Sequence, residues 1–410
     1  MNFYLSVAFF QGFQVFFLPI LREFGWSRTL TSSAFSLRQL ESGLLAPVVG
    51  FLVDRLSPRV VILLGAIISG AGLVLMSYVT SLWTFYVALL ITSVGTSGAS
   101  HGVSWAVVVS NWFNRLRGRA LGIAMLGPVF SGPLVILVVL LEESLGWRGA
   151  VRLLGIGVWI FGVPLALVAR DRPERYGNVP DGEAVGDCER IGTDGGTPKG
   201  ATPNTVSSGL TANQAIRTRD FWALSILLGA PFMGVSGLFV HLIPLLEDGG
   251  YTTREAAGFL GLIFLLSGIG RVGAGILADL VDRRLVLAAT LLLPALGLML
   301  LPGSGPSEYS RVGIFALFLG IGWGGLMTFR PFLVMQLFGS RALGSVQGMV
   351  QGVALGLGLA GPVFYGWVFD VQKSYDAALY VSIATMLAVI PLVFSLSTPR
   401  MAALRITQEG

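Results

Sequence analysis

Ionisable residues within long apolar stretches are the ones most able to do chemistry in this sequence. Arg271 has glycines at positions 268, 270, 273 and 275 and no acidic residue within four positions. A guanidinium presents a planar fork of N–H donors that matches the two oxygens of a carboxylate. An unpaired arginine with open space around it is therefore predicted to bind a carboxylate ligand. The alternative is an ion pair with another helix, for instance with Glu41.

Arg38 and Glu41 form a second candidate group. They lie three positions apart, so they share one face of a helix. One interpretation is a self-neutralising pair that packs against a neighbouring helix. The other makes Glu41 a carboxylate that gains and loses a proton as its partner changes, with Arg38 as that partner.

The two histidines of the chain are further candidates, because imidazole titrates near neutral pH and can carry a proton. His101 follows a run of small residues, and we predict that it contacts substrate in a cavity. His241 is a candidate for proton coupling. The alternative for each is a structural hydrogen bond between helices. Gln347 is a further predicted substrate contact.

The composition around these residues excludes a soluble protein. Of 410 residues, 54% are hydrophobic and 12% are charged, whereas a soluble domain carries about 25% charged residues. The single cysteine, Cys188, excludes a disulfide scaffold and a Cys-based metal cluster. No phosphate-binding glycine loop is present for ATP. We predict an integral membrane protein that is not an enzyme and has no metal or cofactor.

The apolar runs predict an all-α polytopic membrane protein with about twelve transmembrane helices in two six-helix bundles. We number them spans 1 to 12. They are centred roughly near positions 12, 44, 69, 96, 129, 158, 232, 267, 293, 322, 355 and 385. The runs are continuous and do not alternate, which disfavours a β-barrel. Span 1 lacks a basic leader region and a cleavage site, so we expect a retained helix and not a signal peptide.

The distribution of basic residues predicts the orientation. Loops after even-numbered spans and the C-terminal tail are the richer in arginine, with Arg55, Arg59, Arg115, Arg117, Arg119, Arg283, Arg284, Arg341, Arg400 and Arg405. The opposite loops carry Arg22, Arg28, Arg148, Arg152, Arg254, Arg311 and Lys373. The bias places both termini in the cytoplasm of a protein of the cell membrane. It also accounts for the net charge of +5 without a nucleic-acid partner.

A polar segment and a short internal repeat indicate that the chain consists of two halves. Residues 171–218 are rich in Gly, Asp, Thr and Pro and predict a flexible cytoplasmic linker. It separates an N-terminal bundle (1–170) from a C-terminal bundle (219–399), which a tail (400–410) follows. The segment that begins at Gly50 is echoed by the segment at Gly275, 225 positions later, and the one at Arg119 by the one at Arg341, 222 positions later. Parallel repeats of six helices are typical of transporters that bind substrate between the halves.

These motifs resemble those of a known group of transporters. Gly50, Asp54, Arg55 and Arg59 are similar to the cytoplasmic loop motif of the major facilitator superfamily. Its second copy runs from Gly275 through Asp279 to Arg283 and Arg284, with Leu280 in place of the first arginine. The resemblance implies a gating latch, in which carboxylates at helix ends and loop arginines bridge helices in one state and release in the other.

A finer resemblance lies between spans 4 and 5. The segment Trp112 to Ala124, an aromatic–Phe pair followed by a basic cluster and a small-residue helix start, resembles the monocarboxylate porter signature. The segment Phe24 to Arg28 looks like bacterial members of that group and of the oxalate/formate antiporters. Both families place a substrate-binding arginine in span 8, which agrees with Arg271. Ser267 stands where the porters usually have an aspartate, so the usual acid of their proton coupling is absent from this position, and span 11 lacks the lysine of the antiporters.

The resemblance implies a secondary transporter of a small organic anion, a monocarboxylate more readily than a dicarboxylate, by alternating access. Its partners would be the anion, membrane lipid and protons if transport is proton-coupled. Two alternatives are an exporter of hydrophobic or cationic compounds on the same fold and a membrane sensor without transport. The exporter would require unpaired acids in the cavity, and the sensor would require a folded output domain.

Overall fold

The protein is helical throughout the described part of the chain. A computed structural model describes residues 1–99, 103–112, 127–169, 210, 212–338 and 343–396, and all regular structure within these ranges is helix. The long apolar runs predict this result, because a helix satisfies its own backbone hydrogen bonds inside a bilayer. The predicted all-α polytopic fold is confirmed.

Spans 1 to 6 make up the first half. Span 1 is Asn2–Phe24, span 2 is Arg28–Leu56 and span 3 is Pro58–Met76. Span 4 contains the helices Leu82–Ala99 and Val103–Trp112. Spans 5 and 6 share Gly127–Ser131, Val135–Gly157, a π turn at Val158–Gly162, and Val163–Val168. Gly146 separates these two spans, since its φ of 66° interrupts the helix there.

Spans 7 to 12 make up the second half. Their bounds are, in chain order, Arg219–Asp248, Thr253–Leu280, Arg283–Leu298, Tyr309–Phe338, Leu343–Gln372 and Asp376–Ser395. Each half packs mainly on itself, with span 3 against span 4 and span 8 against span 10. The contact between spans 2 and 11 is the main one that joins the halves.

Nine helices in the described ranges are long and apolar enough to cross a membrane. The difference between these nine helices and the twelve predicted spans has three causes. Val129–Val168 contains two spans. Span 9 has only 16 residues. Span 2, at 29 residues, is long enough, but Arg28, Arg38 and Glu41 reduce its hydropathy. Span 2, which carries the candidate Arg38–Glu41 group, is therefore one of the spans that differ most from a plain apolar helix.

The end of the predicted linker is ordered. Residues Ala212–Ile216 form a short helix, and the backbone N–H of Leu210 donates to the carbonyl of Phe338 at 3.0 Å. Ala215 is buried, and Leu210 and Ile216 pack against the core. The prediction of a flexible linker up to residue 218 is therefore too long at this end, because these apolar residues have a surface to bury. Residues 170–209 and 397–410 lie outside the described residues.

Candidate functional site

A cavity of about 1010 Å³ lies between the two halves. Spans 1, 2 and 4 form one side of it, and spans 7, 8 and 11 form the other. Its polar lining residues are Ser6, Gln11, Gln14, Arg38, Gln39, Ser42, Ser93, Thr96, Ser97, Ser236 and Gln351. Its aromatic lining residues are Phe10, Phe35, Phe232, Phe239 and Phe264. Such a cavity, largely apolar with a few convergent polar groups, is typical of a small-molecule site.

Arg38 is the one charged residue among the described residues that line this cavity. Its guanidinium carbon lies 5.2, 5.1 and 5.7 Å from the ring centres of Phe9, Phe10 and Phe35. Its Nη1 is buried and has no hydrogen-bond partner within the described ranges. The cation is thus stabilised by aromatic faces, and the N–H donors of Nη1 stay available for an anion.

Glu41 does not neutralise Arg38 by direct contact. Instead its Oε2 accepts a short hydrogen bond from the Ser93 hydroxyl of span 4, while its Oε1 is buried without a partner in the described part of the chain. The two residues share a helix face, but Arg38 contacts rings of spans 1 and 2 and Glu41 contacts span 4. The two charges attract each other without a direct ion pair, and both interpretations of the group remain predictions.

Span 1 is irregular where it borders the cavity. A π-helical segment, Ser6–Gln11, leads into a 3₁₀ segment, Gly12–Phe16. Short departures of this kind are frequent at functional sites. Gln11 accepts a 2.8 Å hydrogen bond from the Ser131 hydroxyl of span 5, and the buried Oε1 of Gln14 has no described partner. The irregular segment therefore brings amide groups to the cavity wall.

One end of the cavity is closed by contacts between the halves around Arg28, and we call it the Arg28 end. The Arg28 guanidinium donates to both carboxylate oxygens of Asp248, at 2.6 and 3.0 Å, and to the Tyr375 hydroxyl. The Asp370 carboxylate accepts from the backbone N–H groups of Arg28 and Thr29 at 3.1 and 2.9 Å. A carboxylate of span 11 thus caps the N-terminus of span 2, where unpaired N–H groups favour a negative charge.

Further contacts close the same end. Arg254 of span 8 forms an ion pair with Glu143 of span 5, and the Ser36 hydroxyl of span 2 donates to the carbonyl of Leu359 in span 11 at 2.6 Å. Towards the opposite end, which carries Arg55 and which we call the Arg55 end, the lining extends to Val49. The cavity therefore lies on the Arg55 side of these closing contacts.

His241 is buried beside the Arg28 contacts and does not line the cavity. One ring nitrogen, Nε2, lies 3.0 Å from the Pro362 carbonyl, and Nδ1 lies 3.0 Å from the Tyr375 hydroxyl. Because a carbonyl only accepts, Nε2 carries the proton and Nδ1 accepts from the tyrosine. Burial raises the pKa of Tyr375, so this hydroxyl keeps its proton for that bond. The surroundings satisfy a neutral imidazole.

Arg271 is half-buried on span 8, and its Nε is buried without a partner among the described residues. It does not line the cavity in this conformation. Phe264 does line it, and Gly268, one turn further on, faces Val129 of span 5. Positions 264, 268 and 271 share one helix face, so Arg271 lies about two turns from Phe264 towards the Arg55 end.

The remaining predicted site residues are Gln347, the gating group and His101. Gln347 is half-buried but not among the lining residues, whereas Gln351, one turn on, is. In the gating group, Arg55 is exposed above the Phe51 ring, and the Nε of Arg283 donates to the carbonyl of Ala278 at 3.3 Å. His101 and the basic segment 113–126 lie outside the described residues, as do the side chains of Asp54 and Asp279. The latch therefore remains a prediction.

The sequence reasoning missed the closing contacts at the Arg28 end and the amides of span 1. The sequence indicates Arg28 as a loop charge and as part of the Phe24–Arg28 segment, and it gives no sign that Asp248 and Asp370 are its partners. A usable signal was present in span 1, where Gln11 and Gln14 interrupt an apolar run.

The sequence of the chain matches a known protein family. The sequence model of the Major Facilitator Superfamily matches residues 3–362. The chain belongs to the major facilitator superfamily. Proteins of this superfamily are transporters, and the prediction of a multi-pass membrane transporter is confirmed.

The chain is also similar to individual transporters. The chain is 26% identical to monocarboxylate transporter 3 of Gallus gallus, over 92% of this chain and 72% of that protein. It is also 26% identical to monocarboxylate transporter 13 of Bos taurus, over 92% and 83%. Its fold is similar to that of a bacterial homologue of the human lysosomal transporter Spinster in an inward-facing, unoccupied conformation. That match has a TM-score of 0.69 at 16% identity and covers 99% of this chain and 94% of the other.

Proposed function

We propose that this protein is a secondary transporter of a small organic anion, with a monocarboxylate as the preferred class. The observation that carries the proposal is the cavity between the halves, in which Arg38 is the one charged lining residue among those described. Monocarboxylate transporters at 26% identity support the same class. One available cation matches one carboxylate, and a second negative charge would have no described counter-charge in the cavity.

Arg38 is the proposed anchor for the carboxylate. Its Nη1 has no described hydrogen-bond partner, and aromatic rings surround it. Hydrogen bonds to charged groups contribute about 1.5–3 kcal/mol each, more than neutral ones, and a water-poor cavity strengthens them. An anion that enters therefore gains a charge-assisted contact without first breaking an ion pair.

Arg271 remains a proposed substrate contact, in a second role. It lies about two turns from the cavity residue Phe264 along the same helix face, towards the Arg55 end. A half-buried cation with an unpaired Nε on that side would attract an anion before it reaches Arg38. Gln347 and His101 also remain proposed contacts, with Gln351 added because it lines the cavity.

The proposed cycle is alternating access between the halves. The arginine-rich Arg55 end would be cytoplasmic by the positive-inside rule, with both termini on that side of the cell membrane. The contacts around Arg28 would then close the outer end in the present conformation. The proposed latch of Gly50, Asp54, Arg55, Arg59, Asp279 and Arg283 would form at the cytoplasmic end in the opposite state.

Glu41 is the proposed proton-coupling residue if transport is proton-coupled. Its Oε1 is buried without a described partner, three positions from Arg38. A proton on Glu41 would remove a negative charge from the neighbourhood of Arg38 and so strengthen anion binding there. His241 is the weaker candidate, because both its ring nitrogens already have partners.

The experiment that tests this proposal measures uptake of labelled lactate into proteoliposomes, with and without an inward proton gradient. Methyl lactate is the matched competitor, because it keeps the shape but lacks the charge. We expect saturable uptake that unlabelled lactate inhibits and methyl lactate does not. Equal inhibition by the neutral ester, or no uptake above empty liposomes of either lactate or a larger monocarboxylate, would overturn the assignment to a monocarboxylate.

Proton coupling is tested in the same system with Glu41→Gln. If Glu41 couples protons, the wild type responds to the gradient and the variant exchanges lactate without that response. A gradient response that persists in Glu41→Gln would refute this role and leave the proposed substrate class intact.

A further inference from the structure

The wall of the cavity opposite Arg38 is aromatic. Phe232 and Phe239 of span 7 and Phe264 of span 8 line it. The rings of Phe239 and Phe264 stack with centres 5.2 Å apart, and Phe232 stacks on Trp323 of span 10 at 5.9 Å. We call the four residues the aromatic wall. Because these rings are packed on one another, they present a fixed apolar surface.

The volume of the cavity and the difference between its two sides favour a larger anion over a smaller one. Its volume of about 1010 Å³ matches the upper end of sites that hold drug-sized ligands, about 300–1,000 Å³. A three-carbon acid bound at Arg38 would leave the aromatic wall in contact with water. An acid with a ring could hold its carboxylate at Arg38 in the first half and its apolar body against the second half.

We infer that the preferred cargo is a monocarboxylate with an aromatic or similarly bulky apolar body; the inference rests on the proposed function and specifies its substrate class. Burial of a ring against the wall removes apolar surface from water and adds ring–ring contacts. A ligand that contacts both halves also has a differential affinity for the conformation in which the halves are close, which drives alternating access. A two- or three-carbon acid contacts chiefly the Arg38 side.

The test compares 3-phenyllactate with lactate, which differ only by the phenyl ring. Labelled uptake of both is measured in proteoliposomes of the full chain. We expect the half-saturation concentration of 3-phenyllactate to be lower by about tenfold or more, as burial of one ring predicts. A half-saturation concentration for lactate equal to or below that of 3-phenyllactate would overturn the inference while the proposed function stands. Uptake of neither acid would overturn both.

Substitutions in the aromatic wall test whether these residues produce the preference for 3-phenyllactate. Phe239→Ala should remove most of the preference for the phenyl acid, and thermal denaturation in nanodiscs shows whether the variant folds. Phe264→Leu is a second variant that keeps more of the packing, and a smaller loss of preference is expected. The matched control is Phe394→Ala, a half-exposed phenylalanine on span 12 away from the cavity. A preference unchanged in both wall variants, or lost equally in the control, would refute the assigned wall.

Discussion

Asp370 provides a direct test of how the Arg28 end is held closed. Its two carboxylate oxygens accept from the backbone N–H groups of Arg28 and Thr29, at 3.1 and 2.9 Å, and so cap span 2 from the opposite half. Asp370→Asn keeps the size of the side chain but replaces one acceptor by an NH₂ group. One of the two N–H groups then faces a donor, and the negative charge at the helix N-terminus is lost.

The expected magnitude follows from these contacts. An unsatisfied donor costs about 1–3 kcal/mol, and we take the lower end because the contacts are only half-buried. Loss of the charge at the helix N-terminus adds about 0.3–1 kcal/mol. The closed state should therefore lose about 1.5 kcal/mol, which is roughly a tenfold rise in the ratio of open to closed molecules.

The assay is the labelling rate of a cysteine buried behind this contact. Ser32 is fully buried, and its hydroxyl oxygen lies 2.6 Å from the position that a Cβ atom would occupy at Gly366 of span 11. Ser32→Cys, made with Cys188→Ser, should react with a maleimide in nanodiscs only when spans 2 and 11 separate. Asp370→Asn should raise that rate about tenfold, in proportion to the open population.

The matched control is Asp376→Asn, which removes the same charge from an exposed position beside the same end. Its labelling rate should stay within about twofold of the parent, since a single exposed charge has little effect. An unchanged rate in Asp370→Asn, or an equal rise in Asp376→Asn, would refute the capping argument.

Two further predictions concern thermal stability, measured by thermal denaturation in nanodiscs. Glu143→Gln should leave the melting temperature nearly unchanged, because its ion pair with Arg254 is solvent-exposed and exposed pairs contribute little. A clear drop in the melting temperature would contradict this expectation. His241→Leu should cost about 1–3 kcal/mol, because it leaves the Pro362 carbonyl and the Tyr375 hydroxyl without their buried partner. Stability equal to the wild type would contradict the structural role of this histidine.

The fold could be predicted from the sequence because the bilayer restricts the choice so strongly. Apolar runs long enough to span, with basic residues concentrated in alternate loops, leave a helical bundle as the only natural solution. The exceptions have local causes. Span 2 carries Arg28, Arg38 and Glu41, and span 9 has only 16 residues, so neither has the hydropathy and length of a plain transmembrane helix.

The site could be predicted only in part, because the contacts that define it are remote in sequence. Arg28 meets Asp248 across 220 positions, and its backbone meets Asp370 across 342. No local spacing encodes such partners. Likewise, the helical spacing of Arg38 and Glu41 predicts that they share a face, but it does not predict that Arg38 contacts the rings of span 1 while Glu41 accepts from Ser93 of span 4. Side-chain direction within a shared face depends on tertiary neighbours that spacing does not describe.

The most direct test of the central proposal is the binding of lactate and 3-phenyllactate to purified Arg38→Gln and Arg271→Gln, each measured against the wild type by equilibrium dialysis. Loss of the anchoring contact should weaken binding of both acids in Arg38→Gln at least about tenfold, as expected for hydrogen bonds to a charged group. Arg271→Gln should retain more of the affinity, since Arg271 does not line the cavity in this conformation. Wild-type affinity in Arg38→Gln, with binding abolished in Arg271→Gln, would contradict the account and move the anion site to span 8.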